Sequence, residues 1–168
     1  LAHDLTELRR VSFERLLSQY DYDPQASYDL VGRFLEFRHD VTLYPDVLPA
    51  LSALSKRFSV VAVSNGNADV SRLGIGRYFC GQISASAAGV KKPDRRIFHM
   101  ACELLKTDPE NVLHVGDHPL EDVIGAQQAG LKAVWVNRNG DDWTHDEPPP
   151  AEVPDLAQLV EVLAGVNR

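Results

Sequence analysis

Among its 168 residues the chain has only two cysteines, and Cys80 and Cys102 stand in no CxxC or Cys/His spacing. That excludes a disulfide-stapled scaffold or a cysteine-based zinc site, and both thiols read as buried or idle. Long hydrophobic runs are also missing. The longest, "VVAV" and "AVWV", fall far short of the ~20 apolar residues that cross a bilayer, and no charged-then-apolar leader opens the chain. Basic charge is in deficit: 17 Lys and Arg against 24 Asp and Glu give a formal net charge of −7. This argues against nucleic-acid and membrane partners, favours a soluble cytoplasmic protein, and leaves any anionic ligand to local features of the fold. A dinucleotide-binding turn is disfavoured too, because "GIG" at 74–76 does not directly follow a strand and lacks the further glycine spacing.

What is present is an ordinary globular composition, 44% hydrophobic and 24% charged, enough for one domain with a sizeable core. The first third reads as helices. Asp4 and Glu7 form a capping box ahead of Leu5, Leu8, Leu16 and Leu17 at helical spacing. Asp23-Pro24 restarts a helix with Leu30, Val31, Phe34 and Leu35 on one face. From Tyr44 the pattern changes to short apolar strands alternating with helices. The strands are "SVVAV" (59–63), "GQISA" (81–85), "NVLHV" (111–115) and "KAVWV" (132–136); helices are expected over 45–57, 94–105, 120–128 and 154–164. The acidic, proline-rich stretch "NGDDWTHDEPPP" reads as a surface loop. The expected architecture is therefore α/β, a doubly wound parallel sheet, with a separate helical hairpin in front.

Ligands of such sheets collect where loops leave the carboxyl ends of the strands, and three loops stand there. In "SNGNAD", Ser64 offers a hydroxyl, and Asn65, Gly66 and the next backbone N–H groups can wrap an oxyanion at the start of a helix; a plain turn and cap would use the same residues. In "GVKKPD", Lys92 is held extended by Pro93 and can be aimed into the strand-end crevice; a solvated lysine is the simpler alternative. With an anion opposite, such a lysine gains about 4 kcal/mol at about 4 Å for an effective dielectric near 20. In "VLHVGDHPLED", Gly116 turns the chain tightly, Asp117 sits at the strand end, and Asp122 lies in the first turn of the next helix. Magnesium takes oxygen ligands, commonly one or two carboxylates plus phosphate oxygens; helix-start aspartates stabilised by the dipole are the alternative. Together, a hydroxyl with backbone donors, a lysine and an acidic pair form a phosphoryl-handling set.

These residues resemble the haloacid dehalogenase-like hydrolase superfamily. "VVAVSNGN" is similar to its second motif, "VKKPDRRIF" to its third and "VLHVGDHPLEDVIGAQQAG" to its fourth. The resemblance implies a core over 44–168 with a Rossmann-like sheet, preceded by part of an inserted helical cap over 1–43. It implies that Ser64 binds a phosphoryl oxygen with Asn65 and Gly66, that Lys92 stabilises the nucleophile and the aspartyl-phosphate, and that Asp117 ligates Mg2+ with Asp122 completing or orienting the metal shell. The acidic pair favours phosphatases over dehalogenases, since carbon–halogen cleavage needs no magnesium. Within the superfamily, "SNGNADVSRLGIGRYF" and "HDLTELRRVSFERLL" look most like bacterial phosphatases of flavin mononucleotide and of the phosphorylated riboflavin precursor, so the implied partner is a small phosphorylated metabolite.

Two departures are mild: Arg95 stands where a second proline is common, and His118 where a small polar residue is usual. The larger departure is the first motif, Asp-x-Asp at the end of an opening strand, which supplies the nucleophile and the general acid/base. No such stretch occurs here, so the 168 residues alone are expected to lack turnover. Two alternatives follow: a non-catalytic fragment that binds phosphate or magnesium, and a receiver-like signalling domain with Asp117 as phosphoacceptor. The order of residues disfavours the second, because receivers place the acidic pair before the hydroxyl and the lysine.

Overall fold

Runs of β-branched residues bounded by glycine, serine or asparagine become the strands, and the amphipathic segments between them cover both faces. The structure is a computed structural model and describes residues 4–165. β1 (Val61–Ser64) pairs in parallel with β2 (Gly81–Ser84). β3 (Leu113–Gly116) pairs in parallel with β4 (Lys132–Val136), and β4 with β5 (Ala151–Val153). The strands form two sheets, β2-β1 and β3-β4-β5, so β1 and β3 each keep one unpaired edge among the described residues.

Alternation along the strands sorts the core into two layers. On one face, Ile97, Phe98, Ala101 and Cys102 of α5 (Arg95–Leu105) pack with Ile83, Val61 and Val63 of the first sheet and with Ala126, Ala129 and Leu131. On the other, Val134, Val136 and Val153 pack with Leu54 of α3 (Val47–Leu54) and with Leu156, Leu159 and Leu163 of α7 (Leu156–Gly165). Helices on both faces of parallel strands make the α/β, doubly wound arrangement expected from the sequence. Among the described residues, no helix is long and apolar enough to cross a membrane.

In front of this core stand α1 (Leu5–Gln19) and α2 (Ala26–His39), packed on each other. Asp4 accepts from the N–H groups of Thr6 and Glu7 at 3.1 and 3.0 Å, relieving two of the orphan donors of the helix start. The reciprocal half of the capping box does not form, because Glu7 turns forward to Arg10 at 2.6 Å.

Several boundaries differ from the sequence reading. The strand expected over 81–85 ends at Ser84, whose hydroxyl accepts from Ala87 N–H and caps α4 (Ala85–Ala88). The helix expected over 120–128 is a π turn over Pro119–Ile124 followed by α6 (Gly125–Gln128); Asp122 and Val123 both donate backbone N–H to His118 O, at 2.9 and 3.3 Å. No α-helix directly follows "SNGNAD" among the described residues; a turn leads to a short 3-10 helix at Gly76–Tyr78. Asp69 caps a turn onto Ser71 N–H instead, and Gly74 takes a left-handed φ of +74°, which glycine adopts without steric cost. The helix expected over 94–105 starts one residue later, since Asp94 is the cap of α5 and accepts from Arg96 N–H. β5 was not anticipated.

One polar junction ties the second layer together. Asp46 receives both guanidinium nitrogens of Arg138, at 3.2 and 2.7 Å, and also Leu156 N–H at the start of α7, at 2.9 Å. The Arg138 hydrogen bonds hold its carboxyl below the usual range, against burial. Asp46→Ala therefore loses a bidentate charged pair and a helix cap together, and about 2 kcal/mol of stability is expected to go with them. Urea unfolding checks this: a midpoint shift corresponding to under about 0.5 kcal/mol would place the junction among surface pairs of no consequence.

Candidate active site

The loops leaving β1 and β3 and the Lys-Pro loop before α5 are joined by buried polar contacts. Asp122 is 4% exposed and Lys92 is 9% exposed. Lys92 Nζ donates to Asp122 Oδ1 at 2.5 Å, and His114 Nε2 lies 3.0 Å from the same oxygen. The other carboxylate oxygen accepts from His118 N–H at 3.0 Å. Burial pushes the Asp122 carboxyl up, but the His114 hydrogen bond and the Lys92 charge outweigh it and hold the group well below the ordinary carboxylate range. A buried charge is tolerated here because each oxygen has a donor.

The geometry depends on two glycines. A Cβ on Gly116 would overlap the Asp122 side chain, and one on Gly125 would meet Pro93 Cβ at 2.7 Å and Phe98 Cε2 at 3.2 Å. The first lets the acidic turn fold under its own strand, and the second seats the Lys-Pro loop on α6.

Asn65 clamps the loops together. Its amide oxygen accepts from Lys92 N–H at 2.7 Å, and its amide nitrogen donates to Lys92 O at 3.0 Å and Glu121 Oε2 at 2.8 Å. The side chain thus positions Lys92. Ser64 ends β1, and its Oγ accepts from Gly66 N–H at 3.0 Å, so that N–H is engaged by the hydroxyl. Without a helix behind it, the loop has no helix dipole to offer an anion.

Asp117 is exposed at the end of β3. Trp135, 2% exposed, donates its indole N–H to Asp117 O at 2.9 Å, which fixes the backbone of a residue that is itself exposed. Among the described residues, no cluster of three or more His, Cys, Asp or Glu side chains could hold a metal by itself. The donor set suits a cation that takes one or two carboxylates and fills its remaining positions with water and substrate oxygens. His118 caps the π turn by accepting from Glu121 N–H through Nδ1 at 3.1 Å.

The structure thus brings together Asn65, Lys92 and Asp122, sets Ser64 and Gly66 in the adjoining loop, and leaves Asp117 exposed at the end of β3. Three participants escaped sequence reasoning: His114, Glu121 and Trp135. For His114 a signal existed, a histidine at a strand position whose alternation faces α5, where its ring meets Phe98 edge-on at 5.1 Å. Glu121 reaches a residue 56 positions away, which no local pattern reveals.

Comparison with known proteins places these loops in a family. A profile of haloacid dehalogenase-like hydrolases matches residues 5–130. The chain is 29% identical to 5-amino-6-(5-phospho-D-ribitylamino)uracil phosphatase YigB of Escherichia coli, over 96% of this chain and 71% of that protein. It is 30% identical to phosphoserine phosphatase of Thermus thermophilus, over 88% of this chain and 61% of that one. Among solved structures, it superposes with a TM-score of 0.90 on a 2-haloacid dehalogenase from Pseudomonas syringae, at 41% identity, over 98% of this chain and 74% of that one. All three loops of the cluster fall inside the matched span, and the chain belongs to the haloacid dehalogenase-like hydrolases.

Proposed function

We propose that the chain is the phosphate- and metal-binding part of a Mg2+-dependent phosphatase acting on a small phosphate monoester. The observation that carries this reading is the buried Lys92–Asp122 pair, clamped by Asn65 beside Ser64, with Asp117 exposed at the end of β3. Asp122 orients the Lys92 ammonium, which can then neutralise charge on a transferring phosphoryl group. The Ser64 hydroxyl can donate to a phosphoryl oxygen while still accepting from Gly66 N–H. Asp117 would hold the metal, which when bound offsets the negative charge of phosphate and nucleophile. Because Lys92, His114 and the His118 N–H already occupy the Asp122 oxygens, that residue fits orientation of the site better than direct ligation. No Asp-x-Asp at the end of a strand, which would supply the nucleophile, occurs in these 168 residues; an aspartate on a strand beside the unpaired edge of β1 or β3 would complete the site. Displacement through an aspartyl-phosphate splits hydrolysis into two easier steps. Residues 1–43 would belong to the cap and 44–168 to the core.

For the substrate, the likeness to YigB supports the phosphorylated riboflavin precursor or flavin mononucleotide. The full-length polypeptide should release phosphate from these faster than from sugar phosphates, and only with Mg2+. Equal or better rates on sugar phosphates sink the flavin assignment. The 41% identical dehalogenase supports a second reading, and metal-independent chloride release from 2-chloropropionate in place of phosphate release would establish it. Asp117→Asn should weaken Mg2+ binding by at least about 10–100-fold, read by metal titration of turnover. Unchanged metal dependence would remove Asp117 from the metal shell.

A further inference from the structure

The last turn of α2 comes down on the loop that follows β1. Thr6 Oγ1 accepts from Asn67 Nδ2 at 2.6 Å. His39 is held from both sides, by Leu35 O at 2.5 Å and by Asp69 N–H at 2.9 Å. The Thr6 bond ties the start of α1 to the loop and the His39–Asp69 bond ties the end of α2 to it, and Arg38 is the residue before His39. Its Nη2 lies 3.2 Å from the point a Gly66 Cβ would occupy, and Ser64 Oγ lies 3.4 Å from that same point. Glycine at position 66 is what gives the guanidinium room beside the hydroxyl.

The Arg38 guanidinium is also not engaged by a carboxylate. Arg10, Arg96 and Arg138 each pair with a carboxylate; Arg38, like several other arginines, has no carboxylate partner among the described residues and is exposed, but it stands beside Ser64 and Gly66. In a chain of net charge −7, an unpaired guanidinium at the phosphate loop is a local source of attraction for anions. Its planar fork matches phosphate oxygens, and such charge-assisted bonds are the stronger kind.

We propose that Arg38 is a substrate-contact residue, reaching from the helical hairpin to bind the phosphoryl oxygens together with the Ser64 hydroxyl. The inference rests on the phosphatase reading above. It gives the hairpin a part in gripping the reacting group and not only the leaving group.

The test uses the full-length polypeptide with saturating Mg2+ and two probes: orthophosphate, titrated calorimetrically, and p-nitrophenyl phosphate, whose leaving group carries no second phosphate or carboxylate. Arg38→Ala should weaken orthophosphate binding by about tenfold or more and raise KM for p-nitrophenyl phosphate in proportion, with kcat changed by less than about threefold. Arg38→Lys should recover part of both losses, which a merely structural role would not predict. Arg38→Gln, which keeps length and polarity, serves if the alanine variant fails a far-UV spectrum comparison. Unchanged orthophosphate affinity in a folded variant overturns the proposal, even if KM rises, because the residue would then hold the leaving group. If the unmodified protein binds orthophosphate but hydrolyses no ester, the phosphatase reading fails while the Arg38 contact is still decided by the titration. If it binds none, both fall.

Discussion

Asp122→Asn is expected to destabilise the protein by about 3–5 kcal/mol, because it leaves the Lys92 ammonium buried without its counter-charge. Lys92 is only 9% exposed, and its ammonium donates at 2.5 Å to the carboxylate that would be neutralised. His114 and the His118 N–H lose an anionic acceptor in the same step. Denaturant unfolding should show a lower midpoint with an unchanged slope. The double variant Asp122→Asn with Lys92→Met should be more stable than the single one, since removing both charges removes the unpaired ion. A single variant within about 0.5 kcal/mol of the parent would mean that water reaches Lys92 and that the pair is not sealed.

The pH dependence of that difference has a definite sign. The folded-state pKa of Asp122 is depressed, with burial opposing and the His114 hydrogen bond and Lys92 charge prevailing. A depressed carboxyl contributes stability that is complete above its unfolded value, about 3.9, and is lost as pH falls through the folded value. The gap between parent and Asp122→Asn should therefore stay flat from neutral pH down to about 5 and close only in stronger acid. A gap already closing between pH 7 and 5 would assign the effect to another group.

Much of this cluster was legible in the residues because each part sits at a punctuation mark. Lys92 precedes a proline, Ser64 and Gly116 end strands, and Asp117 and Asp122 flank a helix start. Strand centres were readable for the same reason, since "VVAV" and "AVWV" are apolar runs bounded by polar turns. What could not be read was long-range pairing. The sequence offers Asp122 as a metal ligand, with a helix-start aspartate as the alternative, and only the fold reveals that its oxygens go to Lys92, His114 and a backbone N–H. The helix expected after "SNGNAD" failed because Asp69 bonds its own neighbour Ser71 and Gly74 reverses the chain, a local competition that favours turns over helix. β5 was invisible because three residues, of which only Val153 is buried, carry no usable alternation.

Gly116→Ala carries the other large effect, and it separates close approach from glycine content. The added Cβ would lie 2.5 Å from both Cβ and Oδ2 of Asp122, a buried side chain fixed by three donors that cannot swing aside as a flexible surface group would. Either β3 shifts or the Lys92–Asp122 pair opens, at a cost of about 3 kcal/mol, the upper range for overpacking a core. Orthophosphate affinity should fall with stability, since Asp117 is the next residue and Lys92 loses its orientation. Gly32→Ala is the control within the same chain. Gly32 is exposed in the interior of α2, and a Cβ added there would meet nothing within 4 Å, so alanine should stabilise by about 0.5–1 kcal/mol through helix propensity and reduced unfolded-state entropy. Opposite signs from one chemical change would tie the requirement for glycine at 116 to the Asp122 contact. Equal, small effects would mean that the acidic turn is loose enough to yield, and with it the placement of Lys92.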